Sequence, residues 1–222
     1  MALKSFIFDL DGVITDTAKY HFLAWKKLAN ELRLNFNEEN NELLKGVSRI
    51  RSFEIILELN NAESCFSANE KERLVNLKNE YYKEYVEKVT EADILPGIRE
   101  LLSETRANGI SCALASVSKN APRIIELLGI AESFDYVADA EKIKNSKPDP
   151  EIFLNCAESL GSEPYECVAF EDSQAGIEAI HSAKMLSVGI GVKVTSIKPD
   201  YCVKSTAELD YCKIAAFYSN YR

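Results

Sequence analysis

Two acidic residues follow a short hydrophobic run near the start of the chain, in the segment FDLDGVITDT. Phe6, Ile7 and Phe8 have the composition of a buried strand, and Asp9 and Asp11 come directly after it, before a glycine. An acidic pair before a glycine is typical of a turn. Alternatively, the two carboxylates belong to a site at the end of the strand, and the other strands decide between these interpretations.

Polar side chains also follow two later hydrophobic runs. Ser116 ends the segment SCALAS, and Glu171 and Asp172 come directly after CVAF. Ligands of open parallel sheets bind beyond the carboxyl ends of the strands. We therefore expect these three groups to converge with Asp9 and Asp11 in one crevice.

A cluster of carboxylates needs positive charge, because neighbouring acids repel each other strongly in a low dielectric. Oxygen ligands without histidine or cysteine favour a hard cation, and Mg²⁺ is usual where phosphate oxygens complete the shell. Lys147, in SKPDP, supplies a positive charge that can neutralise both an aspartate and a phosphate. These residue types predict phosphoryl transfer, in which catalysis is largely positioning and charge stabilisation.

Two patterns of sequence alternate along the chain and predict the elements that position these groups. From about residue 19 to 90 the pattern is helical, with Phe22, Trp25, Leu28 and Leu32 spaced three or four apart. From Leu95 onward, short apolar runs without alternation favour parallel strands that are covered on both faces. We predict strands at 5–9, 112–115, 136–138, 167–170 and 186–190, and helices at 48–59, 67–89, 97–107, 120–128, 150–160 and 174–182. The predicted fold class is α/β, a doubly wound parallel sheet with an all-helical insertion after its first strand.

The composition limits the kinds of partner. The formal net charge of −9 over 222 residues argues against nucleic acid and against an anionic membrane, because both would be repelled. The six cysteines lack CxxC spacing, which is typical of reduced thiols. The sequence has no apolar run near the ~20 residues of a membrane span and no signal-peptide pattern at its start. We therefore expect a cytoplasmic protein.

Four segments together resemble the ordered motifs of the haloacid dehalogenase superfamily: FDLDGVITDT, LASVSKN, SKPDP and EDSQAGIEAI. The resemblance implies a Rossmann-like catalytic core at 1–15 and 93–222 and a helical cap domain at 16–92. A DxD first motif implies a phosphotransferase rather than a dehalogenase. Because the cap of this superfamily covers the cleft, we also expect a monomer.

The resemblance implies a role for each motif residue. Asp9 would be the nucleophile that becomes an aspartyl phosphate, and Asp11 the general acid and base. The implied Mg²⁺ ligands are Asp9, the backbone carbonyl of Asp11, and Asp172, with Glu171 supporting the metal directly or through water. The implied ligands of the transferring phosphate are Ser116, the backbone of Val117, and Lys147.

The resemblance continues into the helical insertion. There the segments TDTAKYHFLAWKKLA and LKGVSR are similar to those of phosphomutases of the superfamily. It implies interconversion of β-glucose 1-phosphate and glucose 6-phosphate through β-glucose 1,6-bisphosphate. Two alternatives stay open: a sugar-phosphate phosphatase of the same superfamily, and a non-catalytic sugar-phosphate sensor. A pure sensor has little need of the Asp9 nucleophile.

A mutase must hold a second phosphate while the first one reacts. Arg49 is the candidate, since a guanidinium binds phosphate through two parallel hydrogen bonds. Ser118, Lys119 and Asn120 would complete that site, because they open the helix predicted after the second strand. The alternative for Arg49 is a solvated surface charge.

Further substrate contacts are implied for several residues of the insertion. A lone histidine or tryptophan on an apolar helical face is usually structural, but the resemblance places His21 and Trp25 on the active-site side of the cap. For Lys78 the alternative is an ordinary solvent-facing lysine. Thr17 would steady Asp11 or the hinge. The remaining implied substrate residues are Gly46, Val47, Ser48 and Ser52.

Overall fold

The computed structural model describes residues 2–44, 48–192 and 197–221. The chain divides into two compact units. One consists of Met1–Asp16 and Thr90–Arg222, and we call it the sheet unit. The other is Thr17–Val89, and we call it the helical unit.

The helical unit is built from helices around an apolar core of its own. Its α-helices are α1 (Ala18–Glu31), α2 (Glu38–Asn41), α3 (Arg49–Glu58) and α4 (Ala68–Val86). The predicted stripe of α1 is confirmed, because Trp25 and Leu28 are buried against residues such as Phe53 of α3 and Leu74 of α4. Ser67 begins α4 with a capping box, in which its hydroxyl accepts the Glu70 N–H.

The sheet unit contains one parallel sheet. Its strands are β1 (Ser5–Phe8), β2 (Ser111–Leu114), β3 (Tyr136–Val137), β4 (Cys167–Glu171), β5 (Leu186–Ile190) and β6 (Tyr201–Val203). The strand order is β3-β2-β1-β4-β5-β6, and every neighbouring pair is parallel. The doubly wound α/β prediction is confirmed.

Helices cover this sheet on both faces, which explains why its inner strands are mostly apolar and buried. They are α5 (Ile98–Ala107), α6 (Ala121–Leu127), α7 (Glu151–Ser159), α8 (Gln174–Ser182) and α9 (Tyr211–Tyr221). Phe8 stacks on Phe170 at 4.4 Å between ring centroids on one face. Ile7, which points the other way, is fully buried with Phe153 of α7 and Ile177 of α8.

Three elements are absent from the sequence prediction. The short α2, the edge strand β6 and the last helix α9 were not predicted, and α4 ends at Val86 rather than at 89. β6 has only three residues, and Cys202 in its middle is exposed, so it lacks the continuous apolar run of the inner strands. In the ranges that the structure describes, no helix combines the length and apolar character needed to cross a bilayer.

Candidate active site

The register of the three central strands places the predicted acids at one edge of the sheet. Phe8, the last residue of β1, pairs with Leu114 of β2 and with Phe170 of β4. The ladder continues one residue further, where the Asp9 N–H donates to the Phe170 carbonyl at 3.0 Å. Asp9 therefore leaves the sheet beside Glu171, as the strand-end argument predicts.

Lys147 joins two of these carboxylates. Its ammonium nitrogen lies 2.5 Å from Asp9 Oδ1 and 2.8 Å from Glu171 Oε2. The side chains of Lys147 and Asp9 are 13% exposed and that of Glu171 only 2%. Charge-assisted hydrogen bonds in such a partly dry environment are strong, so Lys147 fixes the position of the Asp9 carboxylate.

Glu171 is held from its other oxygen as well. Oε1 accepts hydrogen bonds from the Asp172 N–H at 3.2 Å, the Ser173 N–H at 3.1 Å and the Ser173 hydroxyl at 2.8 Å. Together with the Lys147 contact, both carboxylate oxygens of Glu171 have donors. The side chain is thus oriented by its own chain before any ligand binds.

The electrostatics of the cluster show an excess of negative charge. Partial desolvation of its carboxyl group raises the pKa of Asp172 to about 7 although the residue as a whole is exposed, and the neighbouring Glu171 adds to the rise. Burial also raises the pKa of Asp9 well above its ordinary value, although Lys147 opposes this and Glu171 and Asp11 reinforce it. Burial would lower the pKa of Lys147, but the Asp9 and Glu171 carboxylates outweigh it and raise that pKa.

The donor set fits a divalent metal ion. Asp9, Glu171 and Asp172 each offer a carboxylate oxygen, and these oxygens lie within 4.8 Å of one another. Burial is the main cause of the raised pKa values of Asp9 and Asp172, and the neighbouring carboxylates Glu171 and Asp11 add to both, so the acids of the cluster repel one another despite Lys147. A doubly charged cation would supply the missing charge, and carboxylate oxygens suit a hard one.

Two glycines allow the acidic segments to approach each other this closely. A Cβ on Gly12, whose φ is +75°, would lie 2.1 Å from Asp172 Oδ2. A Cβ on Gly176 would lie 2.0 Å from the Glu171 carboxyl carbon. The glycine after the first two acids is therefore required by the contact between motifs as well as by the turn.

The segment after β2 carries the other predicted phosphate ligands. Ser116 is 4% exposed, and its hydroxyl accepts the Ser118 N–H at 3.2 Å. Val117 is exposed between them, at 48%. Lys119 pairs with Glu141 on the surface at 2.8 Å, and Asn120 is buried at the start of α6.

Within the helical unit, Lys78 is buried rather than solvent-facing. It is 1% exposed, and its ammonium lies 2.8 Å from His21 Nδ1 and 4.8 Å from the ring centroid of Trp25. The His21 ring stacks on Tyr82 at 3.9 Å, and the Tyr82 hydroxyl donates to Thr17 at 3.1 Å. Four of the predicted residues, on α1, α4 and the N-cap of α1, thus form one cluster.

The start of α3 holds the remaining described predictions. Ser48 is the N-cap, and its hydroxyl accepts the Arg51 N–H at 3.3 Å. Ser52 is buried, and its hydroxyl donates to the Ser48 carbonyl at 3.1 Å. Arg49 is half-buried, and burial lowers its pKa. Gly46 and Val47 lie outside the described residues.

The positive charge of Arg49 reaches the cluster around His21. Burial lowers the pKa of His21 well below its ordinary value, and the charges of Lys78 and Arg49 lower it further. The helical unit therefore places the charges of Lys78 and Arg49 near a neutral imidazole.

Sequence reasoning missed Thr15, which supports the loop that carries Asp11. The Thr15 carbonyl accepts the Gly12 N–H at 2.8 Å, and its hydroxyl donates to the Asp93 carbonyl at 2.8 Å. Thr15 is 1% exposed and also forms bridges with Asp11 and Ile94. The one available signal was a threonine inside the apolar stretch VIT, directly after the acids.

Comparison with known proteins agrees with this geometry. A family model for haloacid dehalogenase-like hydrolases matches residues 3–184. The chain is 44% identical over 207 residues to β-phosphoglucomutase of Bacillus subtilis (strain 168), covering 93% of this chain and 92% of that protein. A crystal structure of β-phosphoglucomutase from Clostridium difficile has a TM-score of 0.93 and 47% identity, covering 100% and 99% of the two chains. A phosphorylated carbohydrates phosphatase of Thermotoga maritima is 31% identical and covers 82% of each.

Proposed function

The chain belongs to the haloacid dehalogenase-like hydrolase family, and we propose that it acts within that family as a β-phosphoglucomutase. The reaction would interconvert β-glucose 1-phosphate and glucose 6-phosphate through β-glucose 1,6-bisphosphate. The observation that carries the proposal is the similarity to β-phosphoglucomutases over nearly the whole chain, helical unit included, at 44% and 47% identity. The similarity to phosphatases is weaker, at 31% identity or less.

Asp9 is the proposed nucleophile, because it is held at the strand end with Lys147 on one oxygen. An Asp9 carboxylate oxygen forms a bond to phosphorus while the bond from phosphorus to the sugar oxygen breaks. Asp11 donates its proton to that departing oxygen. In the opposite direction, Asp11 takes the proton of the attacking sugar hydroxyl and the phosphoryl group leaves Asp9.

The remaining residues of the sheet unit bind and orient the transferring group. Lys147 would hold the phosphate by its charge, and the Ser116 hydroxyl and the Val117 N–H would donate to its oxygens. Asp9, the Asp11 carbonyl and Asp172 would hold Mg²⁺, and Glu171 would support the metal directly or through water. When bound, Mg²⁺ supplies positive charge against the transferring phosphoryl group.

The helical unit is the proposed cap, and Arg49 the proposed ligand of the phosphate that does not react. The charges of Lys78 and Arg49, which lower the pKa of His21 in addition to burial, support this assignment, since neighbouring cations favour an anion. His21, Trp25, Lys78 and Ser52 would contribute to substrate recognition in the same unit. A cytoplasmic monomer completes the proposal, and the six free cysteines agree with a reducing compartment.

The test supplies the protein with β-glucose 1-phosphate, Mg²⁺ and a trace of β-glucose 1,6-bisphosphate. Glucose 6-phosphate and inorganic phosphate are then measured in parallel. We expect glucose 6-phosphate to form well ahead of phosphate. Phosphate without isomerisation would instead establish a phosphatase, and neither product would point to a sensor or to another sugar phosphate.

Arg49→Ala tests the second-phosphate site, with Arg51→Ala as its matched control. Both arginines lie in the first turn of α3, but Arg51 is exposed and pairs with Glu58. Loss of a charged hydrogen bond should lower kcat/KM by about 10–100-fold for Arg49→Ala and leave Arg51→Ala near wild type. Equal effects of the two substitutions would contradict the assignment.

A further inference from the structure

Ser173 precedes the first residue of α8, and its side chain also contacts Glu171, the carboxylate that binds the Lys147 ammonium. Its hydroxyl accepts the Gly176 N–H at 3.1 Å, which makes it the N-cap of α8. The same hydroxyl donates to Glu171 Oε1 at 2.8 Å. One side chain therefore serves both the helix end and the buried acid.

A continuous chain of hydrogen bonds leads from Ser173 to the nucleophile. Glu171 receives the hydroxyl on Oε1 and the Lys147 ammonium on Oε2, and Lys147 in turn contacts Asp9 Oδ1 at 2.5 Å. Glu171 is packed against Gly176 on the first turn of α8, where no Cβ would fit. The position of this carboxylate is thus determined from two sides by α8.

We propose that Ser173 is a positioning residue for phosphoryl transfer: through Glu171 it sets the place of the Lys147 ammonium at Asp9. The inference rests on the proposed phosphoryl transfer at Asp9 but does not depend on whether the acceptor is a sugar or water. Ser173 itself does not touch the reacting atoms. Because the contact is a donor–acceptor pair, replacing the donor should disturb Lys147 even when the helix cap is kept.

Three substitutions separate the capping role from the positioning role. Ser173→Thr keeps both the acceptor for Gly176 and the donor for Glu171. Ser173→Asp keeps a good cap but puts a carboxylate against Glu171 in place of the donor. Ser173→Gly removes the donor without adding charge, and glycine at an N-cap costs little stability.

Helix capping has a matched control elsewhere in the chain. Ser67 caps α4 in the helical unit with a similar hydroxyl contact, to the Glu70 N–H at 3.4 Å. Ser67→Ala should lower Tm by about 2–4 °C and leave kcat at the wild-type value. The Ser67→Ala control shows whether the loss of a helix cap, with a decrease in Tm of this size, is enough to change kcat.

The readouts are kcat and KM for consumption of β-glucose 1-phosphate, Tm, and crystal structures of the variants. We expect wild-type behaviour for Thr. We expect kcat to fall by about tenfold for Gly and by about 10–100-fold for Asp, with KM changed less than about threefold. In the Asp variant the distance from Lys147 Nζ to Glu171 Oε2 should exceed the 2.8 Å seen here.

The proposal is overturned if Ser173→Asp turns over like wild type, or if Lys147 and Glu171 keep their places in its structure. Should the wild-type protein release phosphate instead of isomerising, the ratios of variant to wild-type rates still decide the matter. If it consumes no substrate, the proposed function fails, and the crystallographic distance alone tests Ser173.

Discussion

The sheet unit and the helical unit each hold one lysine largely away from solvent, Lys147 and Lys78, and the surroundings of the two ammonium groups differ. Lys147 lies against two carboxylates, Asp9 and Glu171, in a cluster that holds more negative than positive charge. The contacts of Lys78 include the imidazole of His21 and the faces of Trp25 and Tyr82. Lys147 thus compensates acids, and Lys78 places its ammonium group beside aromatic rings and a neutral imidazole.

This difference assigns opposite preferences to the two units. In the sheet unit, the carboxylate oxygens of Asp9, Glu171 and Asp172 lie within 4.8 Å of one another, a donor set that favours a cation. In the helical unit, burial is the main cause of the low pKa of His21, and the charges of Lys78 and Arg49 lower it further, so positive charge lies near this imidazole. In the proposed function, Mg²⁺ would supply positive charge to the acidic cluster of the sheet unit, and a phosphate group would supply negative charge to the cluster around His21 in the helical unit.

The largest expected effect comes from removing the lysine of the sheet unit. Lys147→Met leaves the Asp9 and Glu171 carboxylates close together without their cation. Breaking a buried pair in this way costs about 3–5 kcal/mol of stability, and losing a donor to the transferring group costs about 10²–10³ in kcat. The measurements are urea unfolding in the absence of metal and steady-state turnover.

Lys213→Met is the control for the substitution itself, because Lys213 is 69% exposed and pairs with Asp210 on the surface. Lys213→Met should change neither the free energy of unfolding nor kcat appreciably. If Lys147→Met were as stable and as active as the control, the claim that Lys147 compensates the acids would be lost.

The second prediction concerns the close approach inside the acidic cluster. Gly176 lies in α8, where alanine would ordinarily stabilise a helix by ~1 kcal/mol. A Cβ there would lie 2.0 Å from the Glu171 carboxyl carbon, so Gly176→Ala should instead cost about 1–3 kcal/mol and lower kcat. Unfolding by urea measures directly whether Gly176→Ala raises or lowers the free energy of unfolding.

A double variant identifies the cause of that loss. In Gly176→Ala/Glu171→Ala the crowded carboxylate is gone, so the stability lost should be smaller than the sum of the two single losses. Additive losses would mean that the cost of the methyl group added at Gly176 arises elsewhere in the helix.

The sequence predicted more of the site residues' surroundings in the sheet unit than in the helical unit, and the reason is physical. The residue types of the acids and of Lys147 indicate their chemistry directly. The apolar runs that precede the acids predict the strands whose ends bring them together. Lys78 gives no such signal, because its burial depends on how α4 packs against Trp25 and His21 of α1. Ser173 was likewise missed as a positioning group, since a serine before a helix reads as a cap and the Glu171 contact is set by the fold of the loop.

The third prediction is a pH dependence that belongs to the helical unit. His21 stays neutral in the folded protein below its ordinary pKa of 6.5, whereas the unfolded chain binds a proton there. Protonation of His21 therefore lowers the free energy of the unfolded state as the pH falls below about 6.5. The free energy of unfolding decreases by the same amount. Between pH 7.5 and 5.5 this group should cost stability on the order of 1 kcal/mol.

His21→Gln should lack this part of the pH dependence. Unfolding can be followed by the fluorescence of Trp25, the single tryptophan of the chain, which lies in the helical unit. The quantity to compare is the difference in stability between wild type and variant at each pH. A difference that stays constant from pH 7.5 to 5.5 would contradict a neutral buried His21.

The smallest expected effect tests whether Lys78 contributes to the low pKa of His21. Burial is the larger cause and the Lys78 charge the second, so Lys78→Met should raise the pKa of His21 while leaving it below its ordinary value. The chain has two histidines, and a His181→Gln background leaves a single imidazole signal to titrate by NMR. An unchanged pKa would mean that burial alone keeps His21 neutral, and the positive charge that we assign to this cluster would then rest on Arg49.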